Sequence, residues 1–486
     1  MALSRLQKNL HLLSRAGFGP SLHQLPGLDR ISPEQLWRQL ASDSREVPPK
    51  IEATQPRIDR EKLRLLPEEA QIAARQAAQK QTRLELQRLS GAWLKTLADS
   101  PAQLRERMAF FWHGHFATRI GPIDFNRDLL HIFREKGLGK FGDLLLAVSQ
   151  SPAMLLFLNN QQNRKAKPNE NFAREAMELF TLGRGHYTEK DVKEAARAFT
   201  GWTYATVPLP SASPEAGEAY FLFRPKAHDE GLKTFLGKTG PFKGEDILRI
   251  LLEQKQTARF LTEKIYRHFV NEKPDEKRVA DLSRSFYNSG YDIGVLLERI
   301  FTASWFFDSQ NVGNRIKSPV ELLAGIRRIM PFEFGNPSGL FVLQNMLGQT
   351  LLQPPNVAGW PLGKAWIDSS SLLLRLQLPY IVAGTEALQG APKPDDDLQM
   401  GKKATAENLA IKPVFSPNLL QSRVLWKETE EALRGLTVAQ LASYLMVRPE
   451  KAPVALAMEA VRPVAAANHT RTSLLRLMSL PEYQLG

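Results

Sequence analysis

The chain has 486 residues, 43% hydrophobic and 24% charged, values that exclude a disordered or low-complexity polypeptide. It has no cysteine, which removes disulfides, thiolate zinc sites, iron–sulfur clusters and cysteine nucleophiles from consideration. The net charge of +13 is scattered among acidic residues along helical stretches, with no arginine-rich run and no nucleic-acid module, so nucleic-acid binding is not expected.

No apolar run reaches the length of a membrane span. The opening MALSRLQKNLHLLSRAGFGPS reads as an amphipathic helix through Leu6, Leu10 and Leu13, stopped by Gly17. Its interspersed Arg5, Lys8, His11 and Arg15 leave no uninterrupted apolar core for a secretory signal, so the default compartment is the cytoplasm. Ser32 and Pro33 supply a cap and first-turn residue for a second helix, completing an N-terminal helical segment over residues 1–43. A polar linker is expected at 44–60. A helical core carrying the candidate site then runs over 61–388. Its first helix, Ala-, Gln-, Arg- and Leu-rich, spans Pro67 to Ala98 with an expected break near Gly91.

Ser100 and Pro101 start the next helix, PAQLRERMAFFWHGHFATR. Each helical residue turns by about 100°. Leu104, Met108, Phe111 and His115 therefore share one stripe, and Glu106, Phe110 and His113 another. The two histidines cannot serve one metal on a regular helix. His115 is expected to be the more deeply buried, and either histidine is a candidate acid/base or hydrogen-bonded core residue.

The stretch NRKAKPNENFAREAMELFTLGRGHYTEKDVKEAARAFTGWTY carries the densest chemistry. Its first helix, from about Asn171 to Leu182, places Glu175 and Glu178 on one flank, three residues apart. RGHY turns the chain and brings in His186. Thr188 and Asp191 then form a capping pair for a second helix bearing Glu194. Convergence of these helices would gather Glu175, Glu178, Asp191 and Glu194 around a divalent cation. With oxygen and imidazole donors, that ion would be calcium, magnesium, manganese or zinc. Compensation by Arg174, Arg184 and Arg197 is the competing arrangement. His113, His115, Glu175, Glu178 and His186 are the catalytic candidates.

Further along, AYFLFRPKAHDEGLKTFLG reads as a small β-hairpin near 219–236, turning at His228–Gly231. FLTEKIYRHFV, with His268, belongs to a helical stretch, and Ser318, Pro319 and Glu321 make a strong helix start. QPPNVAGWPLGKAWI is too rich in proline and glycine for a helix interior. As an ordered loop it offers Asn356, Trp360, Lys364 and Trp366 as substrate contacts, the indoles providing stacking surface. His228 completes that binding set. A mobile insertion is expected over 389–417, where glycine, proline and three consecutive aspartates accompany few apolar residues. Helices over 418–486 are expected to pack back on the core.

The signatures LLSRAGFGP, RERMAFFWHGHF, NENFAREAMELFTLGRGHYTEKDVKEAARAFTGW, HDEGLKTFLG, RIKSPVEL, QPPNVAGWPLGKAWI and SLPEYQ span nearly the whole chain. In combination the sequence resembles the large bacterial family known as domain of unknown function 1800. The resemblance implies a mainly α, large multi-helix single unit with a small β-hairpin and long ordered loops, and it carries over no established activity. Relatives are often exported and often encoded beside a sulfatase-like partner, so the resemblance sets a periplasmic or extracellular compartment, and such a partner, beside the cytoplasmic default as alternatives. The chain departs from its relatives at Phe180, where they often carry histidine. The leading functional reading is a hydrolase or metal-assisted lyase acting on a polar, carbohydrate-like substrate through a His/carboxylate cluster. The alternative is a non-catalytic binding or export-accessory protein acting with the sulfatase-like partner.

Overall fold

The computed structural model describes residues 3–54, 60–208, 217–386, 420–455 and 469–486. The expected insertion at 389–417 falls outside them. Helices dominate, and the strands among the described residues form three two-stranded antiparallel sheets. The mainly α expectation with a small hairpin is met. No helix among the described residues is long and apolar enough to cross a membrane.

The apolar side chains explain the assembly. Buried hydrophobic residues from Leu10 to Tyr483 form one continuous cluster, to which nearly every element contributes. The Arg5–Ala16 helix, closed by a Ser4/Gln7 capping box, packs on Pro33–Asp43, Gln103–His115 and Val438–Leu445. The 32-residue Glu68–Asp99 helix buries only its last turns, Leu89 to Ala98, against Pro319–Ile329 and Gly339–Leu347. It runs unbroken through Gly91, contrary to the expected break. The missing side chain there admits the Pro337 carbonyl and Leu340 against the helix.

The strand at 219–223 also departs from expectation. Gly217–Phe223 pairs backward with Trp202–Pro208, register Trp202 to Phe223, rather than across the His228 turn. Lys233–Phe235 makes its own short hairpin with Lys238–Gly240. The third sheet joins Phe332–Phe334 to Ser422–Val424 and so ties the C-terminal segment to the core.

Candidate active site

Where the structure places the sequence candidates decides which of them share a site. The helices Asn171–Glu178 and Glu189–Ala198 do pack together, burying Phe172, Ala176, Val192 and Ala195. Their carboxylates nevertheless serve separate ends. Glu178 accepts from Arg184 Nε at 2.5 Å and from the Tyr187 hydroxyl at 2.7 Å. Asp191 caps its helix through Thr188 and accepts the Leu236 N–H at 2.9 Å. Glu194 accepts from Arg197 Nη1 at 3.0 Å and from the Thr234 N–H at 2.9 Å. Only Glu175 and Glu178 remain electrostatic neighbours, and burial together with Glu178 holds the Glu175 carboxyl above its ordinary range. Among the described residues, no group of three or more His, Asp or Glu side chains could hold a metal ion. The expected four-carboxylate cation site is therefore not assembled, because capping, arginine pairing and strand anchoring take up its ligands.

His186 lies exposed in its turn. His228 is buried and bonded through Nδ1 to the Thr200 carbonyl at 2.9 Å, beside Phe223, where it braces the chain after the hairpin. Asn356 is exposed and accepts the Ala358 N–H at 2.9 Å, closing its own turn, and Lys364 faces solvent. His228 borders a shallow depression with Asp229 and Glu230, and none of the four lines the cavity beneath the loop that carries Trp360 and Trp366.

That cavity, about 240 Å³, is walled by the end of the Gln103–His115 helix, the last turns of Lys255–Phe269, the start of Pro319–Ile329, and the tryptophan loop. His115, Trp360 and Trp366 of the sequence candidates line it. Two glycines shape the loop. Gly359 has φ +83°, and a Cβ there would strike the Gly114 carbonyl; Gly363 has φ +60° and would strike the Glu272 carboxylate. Both are positions where the left-handed backbone and the close approach exclude a larger residue.

Sequence reasoning missed the residue that gives the wall its chemistry. Lys264 Nζ donates to His115 Nδ1 at 3.2 Å and to the Leu179 carbonyl at 3.0 Å, with the Phe260 ring 4.8 Å away. The His115 Nε2 partner is the Phe180 carbonyl, 3.2 Å away, and a carbonyl can only accept. Nε2 therefore carries the hydrogen, and Nδ1 is free to accept from the lysine. Burial lowers Lys264 to about 8 and, with the Lys264 charge, holds His115 neutral. Lys264, Arg267 and His268 share one helix face by their three- and four-residue spacing. That spacing in TEKIYRHF was the available signal.

A buried ionic cluster reaches the cavity through Arg315 and Glu321. Arg107, with no exposed surface, and Arg315 both pair with Glu321. Glu321 Oε2 accepts the Ser318 N–H at 2.6 Å, so the helix-start pattern read from sequence also holds an ion network. Arg315 donates to the His268 carbonyl as well. The two arginines keep the Glu321 carboxyl well below its ordinary range despite its burial. His268 lines the cavity with an unpartnered Nε2, and burial followed by the nearby Arg107 and Arg315 charges keeps its ring neutral.

His113 belongs to a different job. Its ring is buried against Trp93 and Trp360, centroids 5.0 and 5.1 Å away, and burial drives it down to about 3. It stands behind the tryptophan loop rather than in the cavity.

The match to known sequences follows the whole of this architecture. Residues 11–485 fit the family described as Protein of unknown function (DUF1800). The chain belongs to this family. Both sides of the cavity, from Phe110 to Trp366, lie inside the matched span, so the site is carried by the DUF1800 region itself. No curated protein and no solved structure matches the chain.

Proposed function

We propose that this DUF1800 protein is an acid–base enzyme, a hydrolase or lyase acting on a polar, carbohydrate-like substrate in the tryptophan-lined cavity. The observation that carries the reading is Lys264, set in the cavity wall between His115 Nδ1 and the Leu179 carbonyl. Two of its tetrahedral positions are used by these bonds, and the third is available to a ligand. Above about 8 that position is a lone pair able to take a proton from the substrate; below it, an N–H able to deliver one. His115, locked in one tautomer, orients the amine. Trp360 and Trp366 offer the apolar faces on which a sugar ring stacks, and Trp366 is held in a buried position.

A second reading keeps the cavity as a binding site without chemistry, in an accessory protein to a sulfatase-like partner. The arginine-paired states of Glu178 and Glu194 favour it, because they occupy two carboxylates of the expected His/carboxylate cluster.

The test is a turnover screen of the purified chain against fluorogenic glycosides, glycuronides and uronate-containing oligosaccharides, repeated with Lys264→Met. Turnover abolished in a variant that keeps the wild-type circular dichroism spectrum supports the enzyme. Turnover that survives the substitution overturns the assignment to Lys264. Binding in the cavity with no turnover of any substrate favours the accessory reading.

A further inference from the structure

Most polar groups lining the cavity present donors; Glu272, Glu321 and one nitrogen of the neutral His268 ring are the side-chain acceptors among them. Gln349 gives its amide oxygen to the Val320 N–H at 3.0 Å, which leaves its NH₂ group for a ligand. Ser318 Oγ accepts the Glu321 N–H, so its hydroxyl hydrogen is the free end. Lys264 and the two indoles can only donate while the lysine is charged. The carboxylate that might oppose them is consumed: Glu321 Oε1 is shared by two arginines and Oε2 is taken by the Ser318 N–H. Glu272 remains, pressed against Gly363 at the loop.

The charge count points the same way. Arg15, Arg107, Arg315, Lys317 and Arg375 are gathered around the single Glu321. Arg15 is additionally met by the Asn311 carbonyl, Asn314 Oδ1 and the Gly486 oxygen. Even with Glu272 included, cations outnumber anions. Arg107 is fully buried, yet Nε and Nη1 have no hydrogen-bond partner. A buried cationic excess costs free energy that a bound anion relieves. Burial holds Lys317 down at about 7, with Glu321 opposing the shift and the nearby Arg375 charge adding to it.

We propose that the substrate carries an anionic group, a carboxylate, sulfate ester or phosphate monoester, which docks at the Arg315–Ser318–Gln349 floor while its ring lies on Trp360. This rests on the cavity being the functional site, and it names the class of molecule that enters. Neutral sugars of the same size offer only uncharged hydroxyl and ring oxygens as acceptors, which bond a cationic donor more weakly than an anionic oxygen does. A charge-assisted bond to a partly buried donor is worth about tenfold or more in affinity.

The experiment is calorimetric titration of the full chain, at constant ionic strength, with D-glucuronate, glucose 6-sulfate, glucose 6-phosphate and D-glucose. Inorganic sulfate and phosphate are titrated alongside. Wild type, Trp360→Ala and Lys264→Met are compared. At least one anionic sugar should bind about tenfold or more tightly than glucose, weaken with added salt, and lose about tenfold in both variants. The preferred anionic sugar identifies which of the three groups the floor takes. Glucose binding as tightly as the anionic sugars, still dependent on Trp360, overturns the anion assignment and leaves the cavity as the site. Binding that ignores Trp360→Ala defeats the cavity itself. Absence of binding by every anion at tens of millimolar overturns the proposal.

Discussion

His113 Nε2 accepts the backbone N–H of Leu352 at 3.0 Å, and Leu352 holds a left-handed backbone at φ +65°. A non-glycine residue in that region stores strain, and the buried imidazole is what fixes it there. The stretch of chain leading into the tryptophan loop is thus held by a histidine on the helix whose Phe110, Phe111, Gly114 and His115 line the cavity. His113→Ala should lose about 1–3 kcal/mol of stability, because it leaves the Leu352 N–H buried without an acceptor. Urea unfolding measures the loss. His113→Gln, which restores an acceptor, should recover part of it. The sequence stripes had assigned deeper burial to His115, but both rings are buried, since the loop closes over the face on which His113 lies.

Lys264 gives the chain a pH signature with a definite sign. Its folded-state value, about 8, lies below that of an unfolded lysine, so between about 8 and 10.4 the unfolded chain binds more protons at this residue. The lysine's contribution to stability therefore rises with pH across that window. Below about 8 the unfavourable burial of the ammonium is present in full. His115, Phe260 and the Leu179 carbonyl are the groups packed on it. Lys264→Met should remove this slope from the difference between the two stability curves, by up to about 3 kcal/mol. A difference curve flat from pH 7 to 10 would contradict the shift.

Glu321 is the hub of the buried ion network. Breaking a buried pair by removing one partner costs about 3–5 kcal/mol, because the remaining charges keep their desolvation penalty. Glu321→Gln should do so by stranding Arg107 and Arg315, and chemical denaturation at two salt concentrations should show a loss that salt barely screens. A loss below about 1 kcal/mol would mean the cluster is open to water.

The carboxylates of the 171–194 hairpin should behave as surface groups. Glu178 and Glu194 pair with partly exposed arginines, and such pairs contribute about 0–1 kcal/mol. Glu178→Gln and Glu194→Gln should each shift the melting temperature only slightly. Addition of EDTA, calcium or zinc should leave it unchanged if no cation is held there. A specific metal-dependent rise, abolished by either substitution, would restore the cation site.

Much of the fold was legible because helix signals are local. Ser32–Pro33, Thr188–Asp191 and Ser318–Pro319–Glu321 all cap helices where the sequence placed them. The tryptophan loop was recognisable from its prolines and glycines alone, and two of its four named residues line the cavity. The site itself was only partly readable. Charged residues at helix spacing invite convergence on one another, yet Arg184, Arg197 and the Leu236 N–H capture Glu178, Glu194 and Asp191 first. Lys264 and Arg315 were overlooked because their partners lie 149 and 47 residues away, at His115 and the His268 carbonyl. No periodicity within either segment encodes those meetings. The hairpin pairing failed for a different reason: strand 217–223 pairs with 202–208, which precede it, and this partner is as close in sequence as the 233–235 strand that follows.

The most direct measurement is site-resolved labelling of lysines with trinitrobenzenesulfonate, mapped by peptide mass spectrometry across pH. Lys264 should react with a midpoint near 8, and the solvent-facing Lys364 serves as the accessible control. A cavity-binding anionic sugar should protect it and leave Lys364 untouched. Lys264 that stays unlabelled, titrates in the ordinary lysine range near roughly 10.4, or gains no protection from the ligand would contradict a functional amine in this cavity.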